Sequence, residues 1–287
     1  MSHREGSRDV LRTDHSRFVR RGAIHWHVQT MGSGPPLLLV HGTGSSSHSF
    51  SSLMPLLAER FTVVAPDLPG HALSHAPSWF EPSLPSTSAA VEELLAALDL
   101  RPVVAVGHSA GAAVVARMAL DRSIQPRLVV GLGAALVPFS GLARAVFPSA
   151  ARVLATASRI FPIKMQREDS VRRMLESTGS MLDARSVALY RQLSSRPRHV
   201  AAVLAMMASW NIDALHEELP TLETPTLLVV GRRDRAAPVA QQRGSAMRIP
   251  HAEVVVVEGA GHLVHEEQPR AVARLLLGAS EEVVRVQ

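Results

Sequence analysis

The run Val103-Val104-Ala105-Val106-Gly107-His108-Ser109-Ala110-Gly111 places a serine hydroxyl after a β-branched apolar stretch and before an alanine-rich one. A strand that turns sharply into a helix needs small residues beside the turn, because the two backbones pass too close for side chains. Such a turn holds the hydroxyl clear of the sheet. It also sets the helix N-terminus behind the serine, where developing negative charge is favoured. Ser109 is therefore a candidate nucleophile for acyl transfer. A bare Gly-x-Ser-x-Gly is a common chance pattern; the strand before it and the helix after it give it weight.

Upstream, Val40-His41-Gly42-Thr43-Gly44 ends another apolar run. A glycine-rich loop there can present a backbone N–H to the oxyanion, and the residue after the nucleophile presents a second. The pair expected is Thr43 and Ala110, with His41, Gly42 and His108 as candidate substrate contacts. Alone, the loop would read as an ordinary turn. Downstream, Thr226 to Val230 runs into Gly231-Arg232-Arg233-Asp234, and Val254 to Val257 into Glu258-Gly259-Ala260-Gly261-His262. Each puts a polar group just past a strand, at the carboxyl edge where open α/β sheets bind ligands. His262 is the expected base, and Asp234 the residue that fixes its tautomer and stabilises the imidazolium. Singly, Asp234 could be a turn residue and His262 a cap. The order Ser, Asp, His argues for a triad.

Other histidines carry less. His48 and His71 fit structural roles in their turns. His262 and His265 are three apart, but with no carboxylate partner evident that spacing is weak evidence for a metal. No Gly-x-x-x-x-Gly-Lys-Ser/Thr occurs, so no P-loop is present. The triad chemistry requires no metal and no organic cofactor.

These residues need a scaffold that brings strand ends to one edge. Candidate strands are 24–30, 36–40, 62–65, 103–106, 128–132, 226–230 and 253–257, and helices are expected over 89–98, 110–120 and 270–277. The alternation predicts an α/β fold with a mostly parallel central sheet and helices on both faces. The continuous apolar runs Leu37–Val40 and Val254–Val257 suit central strands. Residues 141–212 break the rhythm as short helical stretches punctuated by Gly141, Pro148, Pro162, Gly179 and Pro197. The expected organisation is a basic arm over 1–21, a core over 22–140 and 213–287, and an inserted helical cap over 141–212.

The chain has 287 residues, 46% hydrophobic and 19% charged, enough for one large core with an insertion. With no cysteine, disulfides, thiolate catalysis and cysteine metal sites are excluded. The opening segment has no apolar stretch of a secretory signal, and the uncharged run 128–143 is too short to span a membrane. A cytoplasmic protein is expected. The formal charge of +5 is almost all arginine, since Lys164 is the only lysine. The excess lies in the arm (Arg4, Arg8, Arg12, Arg17, Arg20, Arg21) and in 141–212, with eleven basic residues against four acidic ones. That surface fits simple solvation or an anionic ligand or partner. No nucleic-acid fold accompanies it, so no nucleic-acid partner is expected. Arm and cap leave peripheral membrane contact open. The cap also holds Met165, Met174, Met181, Met206 and Met207, as adaptable core filling or as the lining for an apolar ligand.

Together the four motifs resemble the α/β-hydrolase superfamily over residues 22–280. A narrower likeness rests on Arg17-Phe18-Val19, Trp26-His27-Val28-Gln29, His48-Ser49-Phe50, the run Phe61 to His71, Met206-Met207-Ala208-Ser209-Trp210 and Gly261 to Glu267. These resemble the α/β-hydrolase-like magnesium-chelatase accessory proteins (30 kDa subunits) of purple-bacterial bacteriochlorophyll biosynthesis. Ala72 departs from that pattern, where glycine is usual. The resemblance implies a role around magnesium insertion into protoporphyrin IX, a flat apolar dicarboxylate, with chelatase subunits as partners. Cap arginines such as Arg172 and Arg173 suit its carboxylates, because arginine binds them bidentately. A serine hydrolase working through an acyl-enzyme is the first expectation, and a non-catalytic tetrapyrrole-binding or chelatase-docking protein the alternative. C–C bond cleavage or a lyase reaction through the same triad is a third. Serine at 109, where an alkyl-halide hydrolase has aspartate, argues against dehalogenation.

Overall fold

Alternate residues of one strand serve two cores. In β3 (Pro36–Val40), Leu37 and Leu39 enter one buried cluster and Leu38 and Val40 the other, the period-2 geometry of a strand buried on both faces. The computed structural model describes residue 11 and residues 13–138 and 168–285. Arg4, Arg8, Arg12 and the start of the expected cap, with Lys164 and Met165, lie outside them.

The remaining strands are β1 (Ser16–Arg21), β2 (Ile24–Met31), β4 (Thr62–Pro66), β5 (Val104–His108), β6 (Leu128–Leu132), β7 (Thr226–Gly231) and β8 (Ala252–Val257). They form one eight-stranded sheet in the order β1-β2-β4-β3-β5-β6-β7-β8. β2 is antiparallel to β1 and β4; the pairs from β4 through β8 are parallel.

The described helices are α1 (Met54–Leu57), α2 (Leu84–Ala97), α3 (Ala110–Leu120), α4 (Glu168–Ser177), α5 (Ala184–Ser194), α6 (Pro197–Ser209), α7 (Asp213–Glu218), α8 (Val239–Ala246), α9 (Val264–Glu267) and α10 (Pro269–Arg285). On one face, Val91 and Leu94 of α2, Val115 and Met118 of α3 and Leu215 of α7 pack with Leu38 and Val40. On the other, Leu57 of α1 and Val272 and Leu276 of α10 pack with Leu37 and Leu39. Between β6 and β7, α4 and α5 build a third cluster from Val171, Leu175, Val187, Tyr190 and Leu193, closed by Ala72 and Leu263 of the core. No helix among the described residues is long and apolar enough to cross a membrane.

Two expectations are corrected. Ser16–Arg21, assigned to a basic arm, is the edge strand β1; its arginines and Phe18 are exposed and backbone pairing to β2 holds it. Val254–Val257 is in the other edge strand, with one neighbour and only partial burial. Four valines in a row satisfy an edge strand as well, because Val254 packs with one core cluster and Val255 and Val257 with the other.

Candidate active site

Parallel pairing sets the strand ends level. Val40 pairs with Gly107, His108 with Leu132, Leu132 with Val229 and Gly231 with Val257. The segments that follow, carrying Thr43, Ser109, Gly133, Asp234 and His262, therefore emerge along one edge.

Ser109 joins β5 to α3 with φ 52° and ψ −117°, a backbone region a serine occupies only when its surroundings hold it there. Its N–H donates to the Leu132 carbonyl at 3.0 Å, and its own carbonyl accepts from Ala112 and Ala135 at 3.0 and 3.1 Å. Close packing completes the turn: a Cβ on Gly111 would lie 2.2 Å from the Val40 carbonyl oxygen. The elbow thus clamps β3 to α3. Ser109 is half-buried, and Ala110, the first residue of α3, carries one of the unpaired amides of a helix start.

His262 and Asp234 form a buried pair. His262 Nδ1 lies 3.0 Å from Asp234 Oδ2. The other carboxylate oxygen of Asp234 accepts from the N–H groups of Ala236 and Ala237 at 2.9 and 2.8 Å. With Nδ1–H donating to Asp234, the lone pair of the neutral ring sits on Nε2. Gly133 abuts this pair with φ 50°, and a Cβ there would lie 2.9 Å from Asp234 Oδ2 and 3.0 Å from His262 Nδ1. Gly133→Ala should lower any turnover that uses the pair by roughly 10- to 100-fold, through misplacement. It should also cost about 1–3 kcal/mol of stability in a denaturant titration, from the left-handed φ and overpacking. An unchanged kcat would show that the pair is not used.

The Thr43 loop is held through its carbonyls. Leu68 N–H donates to His41 Nε2 at 2.8 Å, which leaves Nδ1 protonated and donating to the Gly42 carbonyl at 2.8 Å. Gly42 O and Thr43 N–H belong to one planar trans peptide, so fixing the carbonyl aims the amide the opposite way. Gly42 also lies over the nucleophile, since its Cβ would be 2.9 Å from Ser109 Cβ.

Two expected substrate contacts are corrected. His41 is fully buried with both ring nitrogens bound to backbone, so it shapes the loop instead of touching a ligand. His108 is 3% exposed, points beneath the elbow, and its Nε2 meets the His262 carbonyl at 3.2 Å. Of the cap arginines, Arg172 is paired with Glu168 at 3.1 Å along α4, and Arg173 is exposed. Met174 and Met181 are exposed, whereas Met206 is buried with its sulfur 3.6 Å from the Thr43 hydroxyl.

Several structural partners were not among the expected site residues. Asp67 is buried, bonded to His27 Nδ1 at 2.8 Å and to the N–H groups of Ser47 and Leu73 at 2.8 and 3.1 Å. Burial pushes its carboxyl up, but the His27 bond outweighs this together with the other contacts, and it is held below the usual carboxylate range. Glu267 takes the Gly261 and Met181 N–H groups at 2.7 and 2.9 Å, tying the His262 loop to the inserted segment. Tyr190 donates to Glu266 at 2.6 Å, and burial first, then Glu267 and Asp183, push the Glu266 carboxyl up to about 8 although the Tyr190 bond opposes it. Among the described residues, no group of three histidine or carboxylate side chains is placed to hold a metal ion.

A level row of strand ends carrying an elbow serine, a histidine–aspartate pair and a glycine-rich loop defines a fold and a class. The chain belongs to the alpha/beta hydrolase family, whose model matches residues 37–275. It is 38% identical to the magnesium-chelatase 30 kDa subunit of Rhodobacter capsulatus, over 90% of this chain and 92% of that one. Among solved structures, an alpha/beta hydrolase fold protein from Burkholderia ambifaria superposes with a TM-score of 0.79 at 25% identity, covering 93% of this chain and 98% of that one. A thermophilic esterase from Thermogutta terrifontis gives 0.74 at 25% identity, covering 91% and 94%.

Proposed function

We propose that the protein is a serine hydrolase that cleaves an ester or related acyl bond through an acyl-enzyme on Ser109. His262 takes the Ser109 proton on Nε2 and returns it to the leaving group; water then repeats the sequence in reverse. Asp234 holds the imidazole tautomer, and the amides of Thr43 and Ala110 receive the oxyanion. The observation that carries this reading is the His262–Asp234 contact of 3.0 Å beside a serine held at φ 52°. We further propose that α4 to α6, with residues from 141 onward, act as a cap over the core, and that the protein works in the cytoplasm.

A second reading, that the fold binds a tetrapyrrole or docks on a chelatase, is favoured by the 38% likeness to the chelatase subunit. The two are compatible if the tetrapyrrole is the ligand of the Ser109 pocket. Intact-mass labelling with a fluorophosphonate, with and without protoporphyrin IX and alongside Ser109→Ala, separates them. Stoichiometric labelling that Ser109→Ala abolishes is expected, and blockage by porphyrin would unite both readings. Folded wild-type protein that takes no label would overturn the hydrolase reading and leave the binding one.

A further inference from the structure

Two side chains from the inserted helices reach into the loop that carries Thr43. Tyr190 of α5 brings its hydroxyl to 3.2 Å from Ser45 Oγ. His199 of α6, 3% exposed, accepts the Ala72 N–H on Nδ1 at 3.1 Å. Its other nitrogen is then protonated and donates to the Gly44 carbonyl at 3.3 Å. Ala72 has φ 45°, the left-handed conformation behind the usual glycine, and that turn aims its N–H at His199.

From Gly44 onward the connection runs through two peptide planes. Gly44 O and Ser45 N–H share one planar unit, and Ser45 N–H donates to Gly42 O at 3.2 Å. Gly42 O and Thr43 N–H share the next. Bonds in such a row also polarise one another in the same direction. Gly44 itself sits at φ 79° with no side chain to hold it, so its carbonyl direction depends on what it is bonded to.

Building on the acyl-enzyme reading, we propose that His199 is a positioning residue for the oxyanion hole, acting on the Thr43 amide through these two peptides. The hole is complete when α6 is seated with His199 on the Gly44 carbonyl.

Three substitutions test this. Gln places an amide N–H near the Nε2 position, Asn reaches only the Nδ1 position, and Leu reaches neither. For hydrolysis of p-nitrophenyl butyrate, kcat should fall roughly 10- to 100-fold in His199→Leu and His199→Asn with KM nearly constant. His199→Gln should recover most of it, and the rate of fluorophosphonate inactivation should follow the same order. Thermal unfolding confirms that each variant is folded. Wild-type rates in folded His199→Leu and His199→Asn, or rescue by Asn and not by Gln, would overturn the proposal. The Thr43 amide resonance in ¹⁵N-labelled protein decides the positioning independently of turnover: it should move in Leu and Asn and return in Gln. An unreactive wild type would instead sink the acyl-enzyme reading, and an unmoved resonance would sink the positioning.

Discussion

Ser109→Ala is expected to lower kcat for a p-nitrophenyl ester by roughly 10⁴- to 10⁶-fold while leaving KM close to its wild-type value. The methyl keeps the elbow, because the backbone bonds of Ser109 to Leu132, Ala112 and Ala135 involve no side chain. Only the attacking oxygen is lost. What turnover remains comes from water acting with the oxyanion donors and from substrate positioning. His262→Ala should cost a similar factor, because an unactivated hydroxyl gains little from the same pocket. The double variant should be scarcely slower than either single one, as residues working in one proton transfer are strongly non-additive. A pre-steady-state burst of nitrophenolate, present in wild type and absent in Ser109→Ala, is the companion observation. Multiplicative losses in the double variant, or residual activity above a few per cent in Ser109→Ala, would show that another group performs the attack.

Why the sequence pointed to these candidate residues follows from where they stand. Ser109, Asp234 and His262 each lie within a few residues of the end of a parallel strand, and glycine marks the turn between. Local pattern and global position therefore agree, and Leu37–Val40 and Leu128–Leu132 were legible for the same reason. The loop's supports were not. His199 meets partners 127 and 155 residues away in sequence, at Ala72 and Gly44, and no local pattern encodes that. Tyr190 and Glu266 stand 76 residues apart. His41 stood in the right motif but with the wrong role: a residue type that can touch substrate is spent here on two backbone groups. β1 was hidden because exposed arginines give a strand no apolar alternation. The likeness that flagged Ala72 was informative in physical terms, since the position turned out to need a left-handed backbone.

The second large effect is on stability. The protein should lose most of its resistance to unfolding as the pH falls from 7.5 to about 5. Six buried histidines among the described residues have their basicity depressed: His41 to about 3, His48 and His71 to about 4, His265 to about 3, and His108 and His199 well below the ordinary value. Burial is the leading cause in each, with neighbouring histidines adding to it in His41, His108, His199 and His265. Their rings also pack together, tilted or edge-on: His41, His71 and His199 succeed one another at 5.3 Å, and His108 lies 4.6 Å from His265. Above the unfolded value of about 6.5 both states are neutral, and these groups give no pH dependence. Below it the unfolded chain takes up protons that the folded one refuses. Stability is then lost until the folded values near 3 to 4 are reached. Each fully discriminating site costs about 1.4 kcal/mol per pH unit, so His41, His48, His71 and His265 alone cost on the order of 5 kcal/mol by pH 5.5, within the range of an entire domain's stability. Glu266 opposes this: held up near 8, its folded form takes up a proton across the same range, gains about 1.4 kcal/mol per pH unit and offsets part of the loss. Asp67, held low, adds to the loss only below about pH 4, where the unfolded carboxylate begins to protonate. Denaturant midpoints at pH 7.5, 6.5 and 5.5 should fall steeply over the last interval. His265→Leu sharpens the test, because both ring nitrogens of His265 are buried without partners among the described residues. Removing them should stabilise the protein at pH 5.5 more than at pH 7.5 and reduce the proton uptake on unfolding by about one. Midpoints that stay level down to pH 5.5 would mean that these imidazoles are protonated within the fold.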